Sequence, residues 1–384
     1  MTAVRALSIV IAGGGTGGHL YPGIAVAREI IRRAPASRVS FAGTASGLEA
    51  RIVPREGFEL DVIRSAGLKG KSTGARLRGA ALILPGLMDS WRIVSRRQPA
   101  AVVGVGGYSS GPVVLAAWLR RVPTLVLEQN AVPGLTNRLL ARIVRAAAVT
   151  YEETLSYFRG RGFVSGNPVR PEFLSASEHR PASGTEPRAP RVLILGGSQG
   201  AHALNMAMVA AAPELVRRRP GLEVVHQTGE RDLLAVREAY RSAGVSARTE
   251  PFLDPVAGEM IAADLVISRA GATTLAELAA LGRPALLVPF PAASDDHQRK
   301  NARVLAAAGA AEVLDQQALS GATMADAIDR LVGNRARLAA MSSAFGRFAR
   351  PDAAERIVDR IWELTATEGP WAAGPRESSS ATRE

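Results

Sequence analysis

The 384-residue chain has no cysteine, which excludes disulfides, thiolate metal ligation and a cysteine nucleophile. Lysine is nearly absent too, with only Lys69, Lys71 and Lys300, and aromatics make up 5% of residues. Acidic groups are in deficit: 35 Asp and Glu face 47 Lys and Arg, a formal net charge of +12. Such a balance favours anionic partners, whether phosphorylated metabolites, nucleic acid or an acidic membrane surface. No uncharged apolar run approaches the ~20 residues that a bilayer span requires. The opening "MTAVRALSIVIAGGG" reads as the start of a buried strand, not a signal peptide, because glycines follow where a small-residue cleavage site belongs.

What is present is a globular composition, 47% hydrophobic and 21% charged, on a chain long enough for two domains and a cleft. Short β-branched runs alternate with Ala- and Leu-rich helical stretches, the pattern of βα units wound into parallel sheets. Strands are expected at 7–12, 38–42, 101–105, 124–128 and 146–150, and the second half begins again with "RVLILGGSQGAH", then "LEVVHQT", "LVISRAG" and "PALLVPF". One device occurs twice, at 13–19 and 196–202: strand, glycine turn, helix. The fold class is therefore α/β with two doubly wound domains. The break falls near "FVSGNPVRPEF", dividing the chain at 165/166. Residues 175–190 read as a mobile loop, residues 351–365 as a last helix, and residues 366–384 as a tail too polar to fold.

Glycine turns between a parallel strand and a helix let backbone N–H groups approach an anion at the positive helix end. Gly13, Gly15 and Gly18 satisfy G-x-G-x-x-G, a weak signal alone. A nicotinamide site needs an acid at the end of the second strand, and Gly43 and Thr44 stand there instead. With a third cluster at "GVGGYSSGP", three anion-compatible turns suit a diphosphate donor meeting a diphosphate acceptor. His19, at the first turn, suits either a phosphate contact or a base. Glu128 ends an apolar strand at the edge where such sheets hold ligands, or else holds a neighbouring loop. Thr274-x-x-Glu277 has capping-box spacing. Asp295, Asp296 and His297 are adjacent in sequence and seldom converge on one ion, so no metal site is expected. Residues 64–97 carry eight basic residues and one acidic one, Asp89, around "GAALILPGLM" and Trp91. That mixture suits an anionic membrane surface better than nucleic acid, or else an ordinary core helix with solvated arginines.

The motifs "GGTGGH", "FAGTASGLEARIVPREG", "GLKGK", "VGVGGYSSGP", "LEQNAVPGLTNRLLA", "GNPVR", "LGGSQGAHALN", "SRAGATTLAELAALGRPALLVPF" and "DDHQRKNA" span nearly the whole chain. In this order they closely resemble the MurG family of bacterial cell-wall glycosyltransferases, in glycosyltransferase family 28. The resemblance implies a GT-B fold, with an acceptor domain first, a donor domain second, and a last helix returning to the first. It implies transfer of N-acetylglucosamine from UDP-N-acetylglucosamine to the muramyl-pentapeptide on undecaprenyl diphosphate (lipid I), forming lipid II. No cofactor and no nucleic acid enter. The protein would sit peripherally on the cytoplasmic face of the membrane, with room for other cell-wall synthesis proteins as partners.

Family roles carry over at matching positions. Leu253 would offer backbone hydrogen bonds to uracil and Glu277 would take the ribose hydroxyls. Ser198 and Arg170 would lie by the donor diphosphate. Ala272, Thr273, Thr274, Leu275, Asn130 and Gln298 would surround the sugar. Thr16, Gly17 and Gly18, with the Tyr108 turn, would face the acceptor. His297 departs from the glutamine found in some members. Inversion at the anomeric carbon needs a base, for which His19 is favoured over Glu128 because a carboxylate between two diphosphates suffers repulsion. The rival readings are a UDP-N-acetylglucosamine 2-epimerase, a nicotinamide-dependent dehydrogenase and a noncatalytic nucleotide-sugar sensor.

Overall fold

A computed structural model describes residues 5–65, 82–178, 189–197 and 200–368. The first sheet is built from β1 (Ser8–Gly13), β2 (Arg38–Gly43), β3 (Glu59–Val62), β4 (Ala101–Gly106), β5 (Thr124–Glu128), β6 (Ala146–Val149) and β7 (Gly162–Val164), and the second from β8 (Arg191–Leu195), β9 (Glu223–Gln227), β10 (Ser246–Glu250), β11 (Leu265–Ser268), β12 (Ala285–Leu287) and β13 (Ala311–Val313). Their orders are β3-β2-β1-β4-β5-β6-β7 and β10-β9-β8-β11-β12-β13, and the pairings are parallel. Each order reverses beside its first strand, between β1 and β4 and between β8 and β11. Ligands of such sheets bind in the crevice at that switch point, beyond the carboxyl ends of the strands.

Successive strand side chains alternate between faces, and the core divides accordingly. Ile9, Ile11, Phe41, Val103, Val105, Leu125 and Leu127 pack on one face together with Ile357, Val358 and Ile361 of the last helix. Val10, Ala12, Ala42, Val102 and Val126 pack on the other, against Ile93, Val94, Val113 and Val114. The second sheet repeats the scheme, with Val192, Ile194 and Ile267 on one side and Leu193, Leu195 and Val266 on the other. Two doubly wound domains of GT-B type result.

Three expectations are adjusted. The last helix, Ala353–Glu368, packs on the first domain through an ion pair of Asp359 with Arg33 and runs past residue 365 into the stretch expected to be unfolded. Residues 369–384 lie outside the described residues. The stretch expected to loop from 175 begins instead inside the helix Pro171–Glu178, whose Phe173 is buried in the second domain's core; residues 179–188 lie outside the described residues. The four edge strands β3, β7, β10 and β13 are additional to those expected.

Candidate active site in the cleft

The first glycine turn is occupied by a side chain of the protein itself. Gly15 donates its N–H to Glu49 Oε2 at 2.7 Å, while Oε1 accepts from Thr44 N and Thr44 Oγ1, both at 2.8 Å. Glu49 is 1% exposed. Gly14, at φ +148°, has no room for a Cβ because the same carboxylate fills it. An acid that follows the second strand by six residues thus binds the turn, where a dinucleotide site would have one on a ribose. Sequence reading missed it, since its motif "SGLEARIV" gave no anion signal. The first helix, Gly17–Arg33, starts after Thr16 with no side-chain cap, leaving its amino end directed at the cleft.

His19 lies in the first turn of that helix. Gln129 Nε2 donates to Val105 O at 3.0 Å, so its Oε1, 3.1 Å from His19 Nδ1, is the accepting atom. His19 is held as the Nδ1–H tautomer by this pairing, and Nε2 keeps its lone pair. Burial pulls the imidazole below its ordinary value, partly offset by the charge of Glu128 and by the Gln129 bond, with His297 lowering it further. The ring rests on Gly106, at φ +98°, where a Cβ would come 2.7 Å from Nδ1. Gln129 is a site residue that sequence reading passed over, although it sits between two that were named.

Glu128 is 3% exposed and its carboxylate is fully engaged. Oε1 accepts from Asn130 N at 3.0 Å and Asn130 Nδ2 at 3.1 Å; Oε2 accepts from Gly134 N at 3.1 Å and Asn137 Nδ2 at 2.9 Å. Of the two roles open to it, holding the adjoining loop is the one these four donors describe. Asn130 continues across the cleft: its Oδ1 accepts from Asn301 Nδ2 at 3.1 Å, and Asn301 Oδ1 accepts from Ala131 N at 2.9 Å. Asn301, fully buried, is a second residue that sequence reading missed.

The helix Ala272–Leu281 begins at Gly271, with no side-chain cap. The capping-box reading of Thr274 and Glu277 is therefore incorrect; Glu277 turns inward instead and is 4% exposed. Its Oε1 accepts from Arg170 Nε at 3.1 Å and Nη2 at 2.9 Å. Burial raises its pKa to about 7 despite the arginine. The Arg170 guanidinium also lies 4.7 Å from the Phe173 ring centre and 5.4 Å from that of Tyr21 in the first domain. Thr273 Oγ1 donates to Gly18 O at 3.3 Å, so the helix Ala272–Leu281 and the start of the first helix meet across the cleft. Leu275 is buried in the core and has only its backbone to offer, as do Ala272, Gly17 and Gly18. The Tyr108 ring reaches the first turn, 3.6 Å from the Cβ position of Gly15.

Elsewhere, Leu253 N donates to Gln227 Oε1 at 3.1 Å, and Gln298 Oε1 accepts from Phe290 N at 2.9 Å. Ser198 lies outside the described residues. Among the described residues no group of three or more His, Cys, Asp or Glu converges as a metal site would, and no helix is long and apolar enough to cross a membrane. The helix Ile83–Arg97 buries Gly86, Ser90, Ile93 and Val94 but exposes Ile83 by 55%, Leu84 by 67%, Met88 by 48% and Trp91 by 42%. Arg120 stacks on Trp91 at 4.9 Å, beside exposed Trp118 and Leu119. Residues 66–81 of the basic apolar segment lie outside the described residues.

Comparison with known proteins agrees with this architecture. Residues 9–149 match the Glycosyltransferase family 28 N-terminal domain and residues 191–357 its C-terminal domain. A curated relative from Anaeromyxobacter sp. (strain K), named UDP-N-acetylglucosamine--N-acetylmuramyl-(pentapeptide) pyrophosphoryl-undecaprenol N-acetylglucosamine transferase, is 46% identical over 359 residues, 93% of each chain. A Geobacter sulfurreducens protein of the same name is 43% identical, covering 94% of this chain and all of that one. The crystal structure of Acinetobacter baumannii MurG superposes with a TM-score of 0.76 at 30% identity, over 92% of this chain and 99% of that one. A UDP-GlcNAc 2-epimerase from Neisseria meningitidis has a TM-score of 0.64 at 13% identity over 92% and 99% of the two chains, which shows a shared fold alone. The chain belongs to glycosyltransferase family 28.

Proposed function

We propose that this chain transfers N-acetylglucosamine from UDP-N-acetylglucosamine to the muramyl-pentapeptide on undecaprenyl diphosphate, with inversion, at the cytoplasmic face of the bacterial membrane. The names borne by relatives of 43 to 46% identity over nearly the full chain support the reaction. The observation that carries the mechanism is the Gln129 and His19 pair, which leaves Nε2 as an unprotonated base at the end of the acceptor-side helix. In this reading His19 Nε2 takes the proton of the acceptor hydroxyl as its oxygen bonds to the anomeric carbon and the bond to UDP breaks. Burial suits His19 to the task, since an imidazole with a lowered pKa is neutral at working pH. Glu128 supports the incipient imidazolium by charge while holding the loop that carries Asn130. Its four donors speak against a role as base.

On the donor side Glu277 takes the ribose hydroxyls, Arg170 and Ser198 the diphosphate, and Ala272 to Leu275 with Asn130 and Gln298 the sugar. The uracil contact falls to the carbonyl of Leu253, because its N–H is already committed to Gln227. Leaving-group charge is met by fixed donors, which stabilise it without reorganisation. Thr16, Gly17, Gly18 and Tyr108 face the acceptor. The exposed Ile83, Leu84, Met88 and Trp91 beside Arg92, Arg96 and Arg120 form the peripheral attachment to the anionic surface from which the acceptor projects.

The test is to incubate the chain with labelled UDP-N-acetylglucosamine and a short-chain lipid acceptor, with and without EDTA. Acceptor-dependent label in the lipid, unaffected by EDTA, is expected. Epimerised sugar formed without acceptor would replace this reading with the epimerase.

A further inference from the structure

The first glycine turn has the donors of an anion site, and its anion is built into the chain. β2 ends at Gly43, and the helix Glu49–Arg55 starts after five more residues. That short return brings the Glu49 side chain against Thr44 and Gly15, just beyond the carboxyl ends of β2 and β1. Three donors meet the carboxylate: Gly15 N on Oε2, and Thr44 N and Oγ1 on Oε1. A Cβ on Gly14, Gly43 or Gly47 would run into this same side chain. The small residues around the turn therefore make room for Glu49, and a ligand phosphate placed among these donors would meet a buried group of its own charge.

The turn so held also supports the base. Gly13 is the partner of Gly106 in the β1–β4 register, and a Cβ on Gly107 would lie 2.6 Å from Gly14 O. The first and third glycine turns thus touch backbone to backbone. Gly106 in turn carries the His19 ring, with Nδ1 2.7 Å from where its Cβ would stand. On the other side of Gly15 the chain passes through Thr16 into the helix Gly17–Arg33, which bears His19. A displacement of Gly14 and Gly15 reaches the imidazole by both routes, because close-packed backbone has no slack to absorb it.

We infer that Glu49 is the resident anion of the first glycine turn and a positioning residue for His19. The positioning role rests on the acceptor-side reading above. Glu49 is 1% exposed and acts through the turn alone.

The experiment compares an isosteric variant with a truncated one. Glu49→Gln keeps the volume but has a single oxygen, so its NH2 faces either the Gly15 N–H or the Thr44 donors. Glu49→Ala leaves all three donors around a space of carboxylate size. Both should lose about 10²-fold in kcat, the scale of a small misplacement of a catalytic group, with donor KM and UDP affinity within about twofold of wild type. At constant ionic strength, sodium formate should raise the melting temperature of Glu49→Ala. It should also restore turnover of that variant about 10-fold, the scale of a hydrogen bond to a charged group. Both effects should saturate, and neither should appear in the wild type or in Glu49→Gln. Wild-type kcat in Glu49→Gln overturns the inference, because the turn would then need volume and not an anion. Formate that leaves melting and turnover of Glu49→Ala unchanged overturns it as well. A wild-type chain without acceptor-dependent transfer overturns the acceptor-side reading and with it the positioning role, while formate-dependent melting of Glu49→Ala upholds the resident anion by itself.

Discussion

Arg170 places both Nε and Nη2 on one oxygen of Glu277, at 3.1 and 2.9 Å, and so ties the segment between the domains to the helix Ala272–Leu281. The carboxylate is nonetheless held at a pKa of about 7, above its ordinary 4.5, because burial outweighs the arginine. A folded-state pKa above the unfolded one means that the folded chain binds the proton more tightly. The contribution to stability is then fully present below pH 4.5 and is lost as pH rises through 7. Denaturant midpoints measured across that window should fall with rising pH more steeply for the wild type than for Glu277→Gln.

In the function proposed above the same carboxylate, when ionised, accepts from two ribose hydroxyls. Glu277→Ala should therefore weaken UDP by about 10- to 100-fold, the scale of hydrogen bonds to a charged group, while kcat at saturating donor changes far less. Donor titrations at several pH values test this. Wild-type affinity that fails to improve as pH rises through 7 in uridine binding would contradict the role.

His19 as base predicts an acid limb in kcat/KM. The group is active when neutral, and burial sets its pKa below the ordinary 6.5, so activity rises with pH through that lowered value and is level above it. His19→Ala should cost about 10²- to 10⁴-fold in kcat. Glu128→Gln should keep the limb but shift it to lower pH, because the charge of Glu128 raises the imidazole. Loss of the limb in Glu128→Gln, with its retention in His19→Ala, would exchange the two roles.

Gly106→Ala probes the same ring from behind. A Cβ there meets His19 Nδ1 at 2.7 Å on a backbone at φ +98°. Displacing the base by a fraction of an ångström should lower kcat about 10²-fold. An alanine variant with wild-type turnover, checked for native melting, would show that the ring's position is not critical.

Replacing Ile83, Leu84 and Trp91 together by glutamine should abolish flotation with anionic vesicles at low salt. Transfer to a water-soluble acceptor should stay within about twofold, since surface substitutions of this kind leave the core unchanged. Equal loss of both activities would assign the face to folding instead.

The residues left out of the sequence reading share a physical cause. All four unexpected strands are sheet edges. "ELDV", "GFV", "SARTE" and "AEV" lack the continuous apolar run of a strand covered on both sides, because an edge has one neighbour and partial cover. Glu49, Gln129 and Asn301 were illegible for a different reason. Each acts by accepting or donating across 24 to 170 residues of chain, and no spacing rule reports such a meeting.

By itself the amino-acid sequence determined the two doubly wound domains, the duplicated glycine turns and the family, because these depend on local periodicity and short motifs whose chemistry is carried by neighbouring residues. It also brought out His19, Glu128, Arg170 and Glu277 as the groups to ask about. Only the tertiary structure decided what they do with one another. Glu277 is a partner of Arg170 and not a helix cap, Glu128 holds a loop with four donors, and Gln129 selects the tautomer of His19. Those assignments depend on which donors remain once every buried polar group has been satisfied, and that accounting exists only after distant strands and helices have been packed together.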